Sequence, residues 1–542
     1  MEIQVFVVIV FALGVLSLNL RYQWAIYFIV LCCLFAAAAT ISFPALGGLA
    51  LVPVTLFLAF FSLRAFNIGG GPMLLRAIAF DRPGFWLVCV VCVAAFGGIF
   101  LPRALAGSTL VFAIDRAGSD PNAAAMTPLG PVSGNLSQSI YAVAELVMYC
   151  AMSVFLSRRE GYQYFARAML MLAALNICAA IIDLAGGSEV LAAVKTAGYT
   201  LHDNEELAGL KRITGTFPES AAFSYFTLPL FAFTANLWLL GYRPKLTAVL
   251  SAASGVMLIM STSATAYVGF AAYLLVLFFS RSERVAPHSR VRKNRLCVVL
   301  GCVGVLSVIF AIVLKPSLIT VISDFFEQTL LAKADSDSGV ERTAWNMQAI
   351  KNFIETYGLG VGVGSSRASS FALVLMSNLG LIGTICFGLF VSRSVLSPIS
   401  TSHPPADRAV CYASRQGMLG VLIVASVSGT VFELGSCFYL FAAAAAGLAL
   451  SAGQRAPAAH GRRVAQKGSV HGPRAAFAAG RAARPATAHA AAASAAASAA
   501  SAAMAATATT AASEPAGSTS HALVPVTGAR RQSRVPAWPH KQ

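Results

Sequence analysis

The chain has 542 residues, of which 57% are hydrophobic and only 11% are charged, and its mean hydropathy is +0.72. Soluble domains carry about a quarter of their residues as charges. A soluble fold is therefore excluded, and the chain reads as an all-α, polytopic integral membrane protein. The net charge of +17 has no accompanying surface of aromatic and basic residues, so it does not point to nucleic acid.

Apolar runs near the ~20 residues that cross a bilayer predict spans at 3–20, 24–42, 45–63, 85–101, 137–157, 165–186, 221–240, 246–262, 264–280, 296–315, 371–392, 416–431 and 433–452. That makes about twelve or thirteen transmembrane helices. The first run lacks a cleavage site and is read as a retained helix rather than a removable signal. The eleven cysteines fall in or beside apolar spans, which argues against a disulfide framework.

Lys and Arg gather in cytoplasmic loops. The strongest anchor is RSERVAPHSRVRKNR, residues 281–295, with six basic residues and one acidic. Placing it inside also puts Arg21, Arg64, Arg76, Arg82, Arg158, Arg159, Arg243, Lys245, Arg393, Arg408 and Arg415 inside. The N-terminus is then expected outside and the C-terminus in the cytoplasm. Three long loops face outward, at 102–136, 187–220 and 316–370. Residues 1–452 form the membrane domain. From 453 to 542 the sequence is Ala-rich and of low complexity, and reads as a disordered cytoplasmic tail.

In the second outer loop, His202 is a candidate base, and Lys211 and Arg212 precede GTFPESAAFS, where Pro218 and Glu219 shape the entry to a span. In the third, PSLITVISDFFEQTLLAKAD has the apolar spacing of an interfacial helix. Ser338 and Glu341 then have capping-box spacing, so a helix is expected from Gly339 with Arg342 in its first turn. A cation at that dipole end invites an anion. The loop closes with GLGVGVGSSRASS, residues 358–370, after which Ser366 or Arg367 is expected to begin the next helix. These alternating glycines match no nucleotide-loop pattern, since no strand precedes them. Asp335-Ser336-Asp337 reads as a solvated turn, and no metal or cofactor is expected. Within the membrane, Glu145 and Asp183 require a partner or a function, and Glu433 opens the last span at the outer face.

KRITGTFPESAAFS, MLIMSTSATAYVGF, ERTAWNMQAIKNFIETYGLGVGVGSSR and NLGLIGTICF together resemble the O-antigen ligase and Wzy-type polymerase superfamily, over residues 205–390 or so. The resemblance implies a glycosyltransferase C-like membrane fold. It also implies an enzyme that polymerises or ligates undecaprenyl-diphosphate-linked oligosaccharides at the outer face of the bacterial inner membrane, in exopolysaccharide or O-antigen biosynthesis. Its partners would be that lipid-linked substrate, the bilayer, and a chain-length regulator or export complex. Ligases of the family carry a histidine where this chain has Ser369-Ser370, which favours the polymerase branch. On this reading Arg342 and Arg367, helped by Arg212, clamp the diphosphate, and Glu219 or His202 assists as base. Lys211, Gly362, Gly364, Ser365, Ser366, Ser369, Ser370 and Glu433 contact substrate. A flippase for the same lipid-linked sugars is the rival class, and a membrane acyltransferase is a second.

Overall fold

The computed structural model describes residues 2–43, 49–112, 126–197, 206–207, 210–314 and 337–452. His202, Lys333, Asp335, the interfacial helix expected over 316–335 and the tail lie outside the described residues. The helices, numbered along the chain, are α1 (Val5–Asn19), α2 (Tyr22–Cys32), α3 (Pro53–Ala77), α4 (Pro83–Ala104), α5 (Ser133–Leu156), α6 (Gly161–Leu184), α7 (Ser188–Ala192) and α8 (Ser220–Leu239). They continue with α9 (Pro244–Met260), α10 (Ala264–Phe279), α11 (Ser289–Leu314), α12 (Asp337–Glu355), α13 (Phe371–Leu396), α14 (Pro405–Ser428) and α15 (Ser436–Ala452). α3, α4, α9 and α14 each open on a proline, whose missing N–H is no loss at a first helical position.

Among the described residues, seven helices (α3, α4, α5, α6, α8, α13 and α14) are long and apolar enough to cross a membrane, and shorter apolar helices accompany them. The protein is a multi-pass helical membrane protein. Helices satisfy their own backbone, as hydrocarbon requires.

Each expected span meets a helix, with corrections. The span expected at 24–42 is helical only as far as Phe35, and Ile41–Phe43 pairs instead with Leu49–Leu51 as a strand. The span expected at 45–63 begins at Pro53 and runs on to Ala77, interrupted where Gly70 adopts φ 68° beside Pro72. The span expected from 416 begins at Pro405. Asp407, Arg408 and Arg415 had masked that amphipathic start from a hydropathy reading.

The core is aromatic. Phe61 stacks on Phe155 at 4.5 Å between α3 and α5, and Phe387 on α13 lies 6.1 Å from Phe438 on α15. α8 packs against α9 and α14, and α4 against α5 and α13.

Hydrogen bonds sort the loops into two ends. At one end, Arg64 donates to the Leu20 carbonyl, Arg158 to Ile68 and Arg292 to Trp238, while Gln163 donates to Asp407 and Tyr242 to Gln163. This end collects the basic loops. At the other, Ala197 N–H donates to the Ala37 carbonyl, Thr216 to Leu34 and Arg367 N–H to Phe112. The described parts of the three long loops meet here.

A cavity with a cation and two carboxylates

The Lys211–Gly215 segment is held by one buried side chain. Asp183, at the end of α6, is fully buried. Its Oδ2 accepts the N–H groups of Thr214 at 2.7 Å and Gly215 at 2.9 Å, and the Thr214 hydroxyl at 3.1 Å. Its Oδ1 meets Lys211 Nζ at 2.9 Å, and the same ammonium donates to Ser188 Oγ. Lys211, expected to contact substrate, is therefore engaged with Asp183, because a buried carboxylate needs a counter-charge. Arg212 turns toward α10, within electrostatic reach of Tyr267.

This staple sets the path into α8. Glu219 is the N-cap of α8, with extended backbone and a side chain that makes no capping bond. It lines a cavity of about 370 Å³ together with Phe217, Tyr225, Tyr141, Arg342 and Glu433. Glu433 lies in the break between α14 and α15 rather than opening the last helix, which begins at Ser436. Beneath it, Glu145 on α5 is buried and hydrogen-bonds Tyr439 on α15, and its Oε1 has no partner among the described residues.

Arg342 comes from α12, which is already helical at Asp337. The arginine thus lies in the second turn rather than the first, and Asp337 sets an acidic residue at the dipole's positive end. One turn on, the buried Trp345 carries the Arg367 guanidinium 4.0 Å from its ring centre. Burial lowers the Arg367 guanidinium from its ordinary value, Glu341 opposes that and Arg342 adds to it. The two arginines singled out in the sequence therefore share one electrostatic neighbourhood.

The glycine stretch has another task. Gly358, Gly360, Gly362 and Gly364 all adopt positive φ, between 76° and 87°. A Cβ on Gly360 would meet Gly380 N at 2.7 Å, on Gly362 the Gly97 carbonyl at 2.6 Å, and on Gly364 the Gly134 carbonyl at 2.2 Å. Most of its N–H groups are spent on the protein. Gly360 N donates to Thr356 Oγ1, Val361 N to the Ser377 carbonyl, Gly362 N to Asn378 and Ser365 N to Gly362. Three asparagines complete the lattice. Asn135 donates to the Val363 carbonyl and to Ser365 Oγ, Asn378 to the Ser366 carbonyl, and Asn346 accepts from Ser369 N–H. The stretch is a buried wedge among α4, α5 and α13 that fixes Arg367. α13 starts at Phe371, with Ser370 as N-cap, not at Ser366 or Arg367, and Gly380 interrupts it with φ 64°.

Sequence reasoning met Trp345 only as part of the family-like stretch and gave it no role, and it did not single out Tyr141, Tyr225 or the asparagine lattice. Trp345 had a usable signal, its place three residues after Arg342 on one helix face. The asparagines had none, since they are far apart in the chain.

Fold and cavity together define a polytopic membrane protein with a charged site at one loop end. No protein family, curated protein or solved structure matches this chain.

Proposed function

We propose that this protein is a glycosyltransferase that polymerises, or ligates, polyprenyl-diphosphate-linked oligosaccharide units at the outer face of the bacterial inner membrane, with its N-terminus periplasmic and its C-terminus cytoplasmic. One observation carries the reading. A single cavity collects a cation from the outer helix and carboxylates from two separate span entries: Arg342, Glu219 and Glu433.

Arg342, with Arg367 braced beside it, would bind the donor diphosphate through bidentate, charge-assisted hydrogen bonds. A hydroxyl of the acceptor sugar attacks the anomeric carbon of the donor. The new C–O bond forms as the bond to the diphosphate oxygen breaks, and the electron pair leaves with the diphosphate, whose developing charge the arginines stabilise. The hydroxyl proton passes to Glu219, the carboxylate at the head of α8. The undecaprenyl chain would follow the apolar faces of the spans. The four glycines and Ser365 act in this scheme as support, and the contacts with sugar fall to the cavity walls.

The test is direct. Purified protein incubated with synthetic undecaprenyl-diphosphate oligosaccharide should yield chains of two or more repeats. Movement of labelled lipid-linked glycan across proteoliposome membranes without chain growth would favour a flippase. For that reading the buried, partly unpartnered Glu145 beneath the cavity is the supporting observation.

A further inference from the structure

At the end opposite this site, a second cavity of about 710 Å³ opens between the ends of α10 and α13, the short turn Ser282–Arg284 and the flank of α14. Its polar lining includes Arg281, Arg284, Arg415 and Tyr412, and among the described residues no Asp or Glu lines it. Its walls continue onto Leu275, Phe279 and Leu396, which are 62%, 75% and 76% exposed. In a membrane protein such surface faces hydrocarbon.

Arg415 makes the site unusual. It is only 8% exposed, yet no carboxylate lies within ion-pair distance of it among the described residues. Its guanidinium donates to the carbonyls of Ser397 and Ala445, and its Nε is buried without a partner among the described residues. The acidic neighbour on the turn, Glu283, faces Lys293 at 3.9 Å. A buried cation without a counter-ion is costly, and two further arginines at the rim raise the local positive potential. An anion would supply the counter-charge, and the exposed apolar walls suit one that carries its own hydrocarbon. An arginine fork matches phosphate oxygens, and basic pockets between spans suit lipid head groups.

We propose that this groove binds one anionic phospholipid, with its phosphate against Arg281, Arg284 and Arg415 and its acyl chains along Leu275, Phe279 and Leu396. The inference does not depend on the glycan-transfer reading, since the groove lies at the other end of the molecule.

The test uses the full-length protein in detergent, titrated with phosphatidylglycerol, phosphatidylcholine or inorganic phosphate and followed by thermal unfolding and native mass spectrometry. Phosphatidylglycerol should bind at least about tenfold more tightly than phosphatidylcholine and raise the unfolding temperature. The Arg281→Gln/Arg284→Gln double variant changes exposed residues, so it should unfold at the wild-type temperature without lipid while losing about tenfold in phosphatidylglycerol affinity. Arg290→Gln, exposed at the same end but outside the groove, should bind as wild type. Equal binding of the two lipids, or unchanged affinity in the double variant, would overturn the proposal. Full stabilisation by inorganic phosphate alone would also overturn it and leave a simple anion site.

Discussion

The Arg367 guanidinium lies 4.0 Å from the centre of the Trp345 ring, and Trp345 follows Arg342 by one turn of the same helix. The loop arginine is thus oriented by the helix that carries the cavity arginine. Arg367→Lys keeps the charge but loses the planar stack and the fork. Polymer synthesis should fall about ten- to a hundredfold, and Arg367→Ala or Arg342→Ala should abolish it. Trp345→Leu, which removes the ring beneath Arg367, should lower synthesis about tenfold. Lys351→Ala, an exposed cation on α12, should leave it unchanged. Polymer length and accumulated lipid-linked units at matched expression give the readout. Normal polymer from Arg367→Ala would move the site away from this loop.

Glu219→Gln is close to isosteric and disturbs no capping bond. The variant should fold normally yet lose about 10²–10⁴-fold in turnover, the usual contribution of a general base. Glu433→Gln should lose less. If the order is reversed, the proton acceptor is Glu433.

The glycine wedge makes a different kind of prediction. Gly364→Ala would place a methyl group 2.2 Å from the Gly134 carbonyl, with φ at 83°. It should lower the yield of folded protein by size-exclusion chromatography in parallel with polymer. Gly362→Val should do the same against Gly97 and Pro102. A well-folded but inactive Gly364→Ala would instead return the backbone to a ligand-binding role.

Lys211→Ala leaves Asp183 buried and unpaired. Breaking such a pair costs about 3–5 kcal/mol, and the partial exposure of Lys211 puts the expected loss at the lower end. The unfolding temperature should drop clearly. Lys211→Ala/Asp183→Asn should recover part of the drop, because no bare charge remains.

Orientation can be read with thiol labelling. Tyr357 is 93% exposed at the end that carries the cavity, and Arg290 is exposed at the basic end. A cysteine at Tyr357 should react with a membrane-impermeant reagent in intact cells, and one at Arg290 only after permeabilisation. Ser365 and Ser289 are fully buried and would report nothing. Labelling at Arg290 alone would invert the topology and remove the outer-face reading.

Much of the architecture could be read from the chain alone. Hydropathy reports local transfer free energy, so apolar runs near the bilayer's thickness located a helix at each expected span, and basic residues in alternating loops anticipated the two ends seen in the hydrogen bonds. Helix limits were read less well where charge entered a helix, as at Asp407 and Arg408 on α14, or where glycine and proline interrupted one, as at Gly70. Arg342, Glu219 and Glu433 could be singled out because charges at membrane edges are conspicuous, but that they line one cavity depends on the packing of α8, α12 and the α14–α15 break. Only tertiary structure assigned Lys211 to Asp183, and the glycine stretch to contacts with Gly97, Gly134 and Gly380. A glycine with positive φ looks the same in sequence whether it makes room for a ligand or for another backbone. The neighbour that occupies that space comes from elsewhere in the chain, and long-range packing decides which it is.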